Sequence, residues 1–171
     1  MKAFIKKRFW FVLLLLVVFY ACVKKGYVSP IPVIAYENFI TYGKDSALFS
    51  FTFKDGDGDI GLSQGDTLPP FNSTGAYYYD LIMTYYFQET DGSFHTYFNP
   101  LPTVNDTQTF KYRIPNITPQ GQDKVLQGEI KVTMYSPYFI TGHTVVKYNA
   151  FIYDRALHKS NVILTPPIKV Q

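Results

Sequence analysis

Apolar and polar residues alternating with a period of two constrain this chain more than any other feature. In ALFSFTF, residues Ala47, Phe49, Phe51 and Phe53 fall on one face while Ser50 and Thr52 fall on the other. In TQTFKYRI, Phe110, Tyr112 and Ile114 oppose Thr109, Lys111 and Arg113. In LQGEIKVTMY, Leu126, Ile130, Val132 and Met134 oppose Gln127, Glu129, Lys131 and Thr133. Successive side chains of a strand point to opposite faces, so each run buries one face and solvates the other, as in antiparallel sheets. After residue 22, no stretch sustains helical periodicity beyond a turn or two.

Five further runs read as strands. VIAYENFITY from Val33 is the first, and AYYYDLIMTYYFQE a long one whose odd positions, Tyr77 to Phe87, face inward. FHTYF follows TDGS, where Asp91 and Gly92 suit a type I′ hairpin. VVKYNAFIY and VILTPPIKV complete the set, Pro166 and Pro167 marking a sheet edge or the exit of the chain. Seven or eight strands without helices predict an all-β fold, an antiparallel β-sandwich of immunoglobulin or fibronectin type III style over residues 33–171. With 15 Tyr and 15 Phe, the chain has ample material for a core, which excludes wholesale disorder.

The first residues have another character. MKAFIKKRFWFVLLLLVVFYAC opens with Lys2, Lys6, Lys7 and Arg8 and continues through an apolar run from Phe9 to Ala21. That run is shorter than the roughly 20 residues a spanning helix needs and has the layout of a secretory signal peptide, residues 1–21. The lone cysteine, Cys22, sits where a lipoprotein signal peptidase would cut, and FYAC resembles a bacterial lipobox, in which the cysteine is diacylated and becomes the new N-terminus. It departs from the commonest lipobox at Phe19, where Leu is usual, and at Tyr20, where a small residue is usual. Residues 22–32, with Gly26, Ser29, Pro30 and Pro32, read as the lipidated cysteine and its tether. The alternative is an uncleaved anchor with Cys22 incidental; both readings tether the domain to a membrane.

Without residues 1–21 the chain keeps 12 basic residues against 13 acidic ones. Nucleic-acid binding, which needs a Lys/Arg stripe to neutralise phosphates, is therefore not expected. VKKG after Cys22 lacks the acidic run that marks surface export in some Gram-negative envelopes, which favours the periplasmic face of the outer membrane.

FTFKDGDGDIGLSQGD is the densest cluster of chemistry. Asp55, Asp57 and Asp59 fall at the spacing with which calcium loops present oxygens. Continuing that count, Gly61 offers a carbonyl at the seventh place and Asp66 a carboxylate at the twelfth. Ile60 at the sixth place, normally glycine, and the lack of flanking helices argue against a true EF-hand. If ALFSFTF is the second strand and KYNAFIY the penultimate one, the loops after them share one end of the sandwich, bringing Asp154, and with it Asn161, toward the aspartates. Crowded carboxylates repel one another, a divalent cation relieves that, and hard oxygen ligands favour Ca²⁺ over zinc. The competing reading is an acidic, solvated turn bonded to its own backbone.

FTFKDGDGDIGL together with FIYDRALHKSN resembles envelope lipoproteins of Gram-negative bacteria that carry an immunoglobulin-like domain. The resemblance implies a location and a fold, and nothing about a ligand.

Catalytic signatures are absent from the sequence. His95, His143 and His158 are far apart, in no metal-ligand spacing, and read as surface or loop residues. Neither a GxSxG elbow nor a phosphate-cradling GxxxxGK occurs. The expectation is a membrane-anchored, non-catalytic binding or structural module of the cell envelope. The alternatives are a carbohydrate-binding or adhesion component of an outer-membrane uptake system, and an envelope hydrolase using the aspartate loop. For an unidentified glycan or protein ligand, Tyr78 and Tyr86, on the face of the long strand opposite the core, are the candidate contacts.

Overall fold

The computed structural model describes residues 28–98, 107–120, 124–138 and 142–170. The signal segment 1–21, Cys22 and the first part of the tether lie outside the described residues. Among the described residues no helix is long and apolar enough to cross a membrane.

Nine strands are described, every ladder antiparallel. β1 (Val33–Tyr42), β2 (Ser46–Asp55) and β6 (Leu126–Tyr135) form one sheet in the order β1-β2-β6. The second has the order β4-β3-β7-β8, from β3 (Leu81–Gln88), β4 (Phe94–Thr96), β7 (Val145–Ile152) and β8 (Ile163–Leu164). β5 (Thr109–Tyr112) pairs with Leu81 to Thr84 of β3, beside the β4 pairing with Tyr86 to Gln88. β9 (Ile168–Lys169) likewise continues along β7 after β8. VILTPPIKV thus splits in two, because Pro166 and Pro167 have no N–H to give a ladder.

The two sheets share one core, the arrangement of a β-sandwich. Phe49, Phe51 and Phe53 of β2 and Met134 of β6 meet Leu81, Met83 and Tyr85 of β3 and Val146, Tyr148, Ala150 and Ile152 of β7. Phe39 stacks on Tyr148 across the layers, ring centroids 5.4 Å apart. β2 and β7, each with ladders on both edges, are the most thoroughly buried strands, and each large apolar side chain so buried contributes about 1.5–3 kcal/mol.

Two local expectations need correction. The long strand begins at Leu81, not Ala76. Before it the backbone bonds to itself, Tyr77 N–H to the Pro70 carbonyl and Tyr78 N–H to the Gly75 carbonyl, both at 3.3 Å. Tyr77 and Tyr79 therefore do not continue the inward row, and Tyr79 is 40% exposed. The β3–β4 hairpin is also longer than a two-residue type I′ turn. Glu89 N–H donates to the Ser93 carbonyl and Gly92 N–H to the Glu89 carbonyl, leaving a three-residue loop with only Gly92 at positive φ, +87°.

Candidate metal centre

The inward rows of the two central strands end alike. On β2 the row Phe49, Phe51, Phe53 is followed by Asp55, and on β7 the row Tyr148, Ala150, Ile152 is followed by Asp154. Period two therefore directs both carboxylates into the space between the sheets, at 0% and 2% exposure. An antiparallel bridge between Ile60 and Asp154, and a hydrogen bond of 3.2 Å from Arg155 N–H to the Asp59 carbonyl, fasten the two loops together. Gly58 makes the curl possible. Its φ is +64°, and a side chain there would collide with the Lys124 carbonyl.

Asp57 and Asp59 complete a group of four. One oxygen from each of Asp55, Asp57, Asp59 and Asp154 lies within 4.8 Å of the others. Asp55 accepts the Asp59 N–H through Oδ2 at 3.0 Å, and Asp59 accepts the Ala156 N–H through Oδ2 at 3.0 Å. Oδ1 of Asp55, Asp57 and Asp59 is buried and has no hydrogen-bond donor among the described residues. Buried carboxylate oxygens without donors cost free energy that a cation removes. With Asp154, whose oxygens meet His158, the group comprises four carboxylates, two of them inside the sandwich, that could hold a metal ion.

The electrostatics point the same way. Burial pushes Asp55 up to about 7, the neighbouring Asp57 and Asp59 carboxylates adding to it against the pull of the Asp59 N–H. Asp59 is raised by burial and then by Asp154 and Asp57. Asp154 is raised by burial although its oxygens take the His158 N–H at 2.7 Å and face His158 Nδ1 at 2.9 Å. His158 is raised in turn, chiefly by that hydrogen bond.

The remaining predicted residues separate. Asp66 is not part of the group: Oδ2 takes the Ser63 N–H at 2.7 Å and hydroxyl at 2.8 Å, and both oxygens meet the Arg155 guanidinium, at 3.1 and 3.3 Å. The twelve-place count fails because Ile60 and Leu62 turn into the core, Leu62 pairing with Ile114 and Pro115 instead of continuing a calcium loop. Gly61, at φ +88°, packs on the Pro115 carbonyl. Asn161 lies at the same pole but turns its amide to Ile34, away from the aspartates.

Tyr78 and Tyr86 do not share a strand face. Tyr78 precedes β3, packs edge-on against Tyr79 and carries the Arg113 guanidinium 4.9 Å above its ring. With Phe71 and Arg113 it lines a cavity of about 390 Å³. Tyr86 lies on the outer face of β3, its hydroxyl accepting from Asn149 at 3.1 Å.

Sequence reasoning missed His158 and Arg113. The usable signal for His158 was its place four residues after Asp154. His143 occupies a loop, as expected, and stacks on Phe87 at 4.0 Å. Against known families, curated proteins and solved structures, the chain matches none.

Proposed function

We propose that this chain is a non-catalytic binding or structural module of the cell envelope, held to the membrane by lipid on Cys22, whose sandwich is pinned at one pole by a calcium ion. The observation that carries the calcium reading is the set of three buried acceptors, Oδ1 of Asp55, Asp57 and Asp59, with no donor among the described residues. An all-oxygen donor set suits Ca²⁺ better than zinc or copper. The signal-like segment and Cys22 support the anchor, and the basic VKKG after Cys22 supports the periplasmic face of the outer membrane.

An immunoglobulin or fibronectin type III-like fold is supported by two features. One is the strand order β1-β2-β6 opposite β4-β3-β7-β8. The other is Tyr148 of β7, the last long strand, whose hydroxyl donates to the Pro137 carbonyl in the loop just before that strand, the device by which such sandwiches fasten a corner.

Thermal unfolding of the full-length protein in detergent tests the reading. Ca²⁺ should raise Tm in the wild type and not in Asp55→Asn, because a ligand of the native state alone stabilises it by mass action. An unchanged wild-type Tm at millimolar Ca²⁺ would falsify the calcium assignment. For the anchor, Cys22→Ser should leave uncleaved precursor without fatty-acid label, and normal processing would refute it.

A glycan ligand is the second reading, favoured by the aromatic walls Phe71 and Tyr78 of the 390 Å³ cavity. It predicts glycan binding lost in Tyr78→Ala and kept in Tyr86→Ala.

A further inference from the structure

We propose that the cation site is also a latch on the N-terminal stem, residues 28–34: an ion held by Asp55, Asp57, Asp59 and Asp154 fixes the stem against the sandwich. The inference rests on the cation reading above and adds to it a mechanical role.

The stem is held by both loops that supply the ligands. On one side Gly56 lies between Asp55 and Asp57, and its N–H donates to the Ser29 carbonyl at 2.9 Å. The approach is so close that a methyl group at Gly56 would collide with the carbonyls of Val28 and Ser29. On the other side the Asn161 side chain grips Ile34 at both backbone groups, accepting its N–H and donating to its carbonyl, each at 2.8 Å. Between these two grips Pro32 is fully buried, and Ile34 is 2% exposed.

Asn161 is itself tied to the end of β7, the strand that leads into Asp154. Ser160 N–H donates to the Ile152 carbonyl at 3.0 Å, Ser160 Oγ accepts the Ile152 N–H at 3.0 Å, and the same hydroxyl donates to the Asn161 carbonyl at 2.8 Å. The stem therefore bridges the Asp55–Asp59 loop and the segment after Asp154. Without a cation, four carboxylates within 4.8 Å push these two supports apart. A bound cation draws them together, and a segment gripped by both is ordered with them. Coupling is reciprocal: what loosens the stem must weaken the cation by the same factor.

Hydrogen exchange of the full-length protein in detergent, with Ca²⁺ or with chelator, tests this beside a calorimetric titration with Ca²⁺. The latch predicts that Ca²⁺ binds, that the Ile34 amide exchanges several-fold more slowly with Ca²⁺, and that Asn161→Ala weakens Ca²⁺ binding about fivefold or more, the low end of ordinary coupling. If Ca²⁺ binds while Ile34 exchange and the Asn161→Ala affinity stay unchanged, the latch is wrong and the cation site stands. If no Ca²⁺ binds, the cation reading fails and the latch with it. Should Asn161→Ala not fold, exchange in the wild type alone decides between these outcomes.

Discussion

Asp80 accepts the Ile114 N–H at 2.6 Å through Oδ1, while its Oδ2 is buried with no donor among the described residues. The carboxyl stands at the start of β3, 3% exposed, and tethers the chain leaving β5 to the entry of the long strand. Burial pushes it up to about 7, against the opposing effects of the Ile114 N–H and Arg113.

A raised folded-state value makes Asp80 most favourable to stability when protonated. Its contribution is full below the unfolded carboxylate value near 3.9 and is lost as pH rises through about 7. The loss amounts to ~4 kcal/mol at most, since one unit is about 1.4 kcal/mol. Asp80→Asn, which keeps an acceptor for Ile114 and cannot ionise, should flatten the decline in stability expected for the wild type between about pH 4 and about pH 7, the span of the shift. Parallel curves for variant and wild type in denaturant titrations would contradict this role.

Tyr148 joins the layers through its ring and the corner through its hydroxyl, which donates to the Pro137 carbonyl. Tyr148→Phe keeps the packing and strands the carbonyl, so unfolding in urea should show a loss of about 1–2 kcal/mol. A neutral substitution would mean that water replaces the hydroxyl there.

Arg113 organises the segment between the aspartate loop and β3. Its guanidinium donates to the carbonyls of Tyr78 at 2.8 Å, Ser63 at 2.9 Å, Asp66 at 3.0 Å and Phe71 at 3.4 Å. A lysine ammonium cannot reproduce this fork. Arg113→Lys should therefore leave the core intact while residues 63–79 become markedly more sensitive to limited proteolysis. Unchanged cleavage would show that the segment holds itself.

How much of this the sequence disclosed follows from the range of the interactions. Strand β6 and the β2 core row were legible because period two is local, and LQGEIKVTMY became a strand over its full length. Asp55, Asp57 and Asp59 were legible from spacing, and Asp154 from the end of the sandwich that its strand reaches. Asp66 was misplaced by a local count that could not register Leu62 pairing with a segment about fifty residues further on, at Ile114. The same distance hid Arg113 and Asp80, whose partners lie 34 to 50 residues away. Tyr77 and Tyr79 looked like strand because tyrosine favours sheets, yet among the described residues no partner strand reaches them: the β3–β5 ladder starts at Leu81.

The central claim is that two core-facing aspartates and their two neighbours hold one divalent ion. Calorimetric titration of the chelator-treated full-length protein with Ca²⁺ tests it most directly. One ion per chain should bind in the wild type, and Asp55→Asn should abolish the binding. A wild type that takes up no ion at millimolar Ca²⁺, or an Asp55→Asn protein that binds as tightly as the wild type, would contradict it.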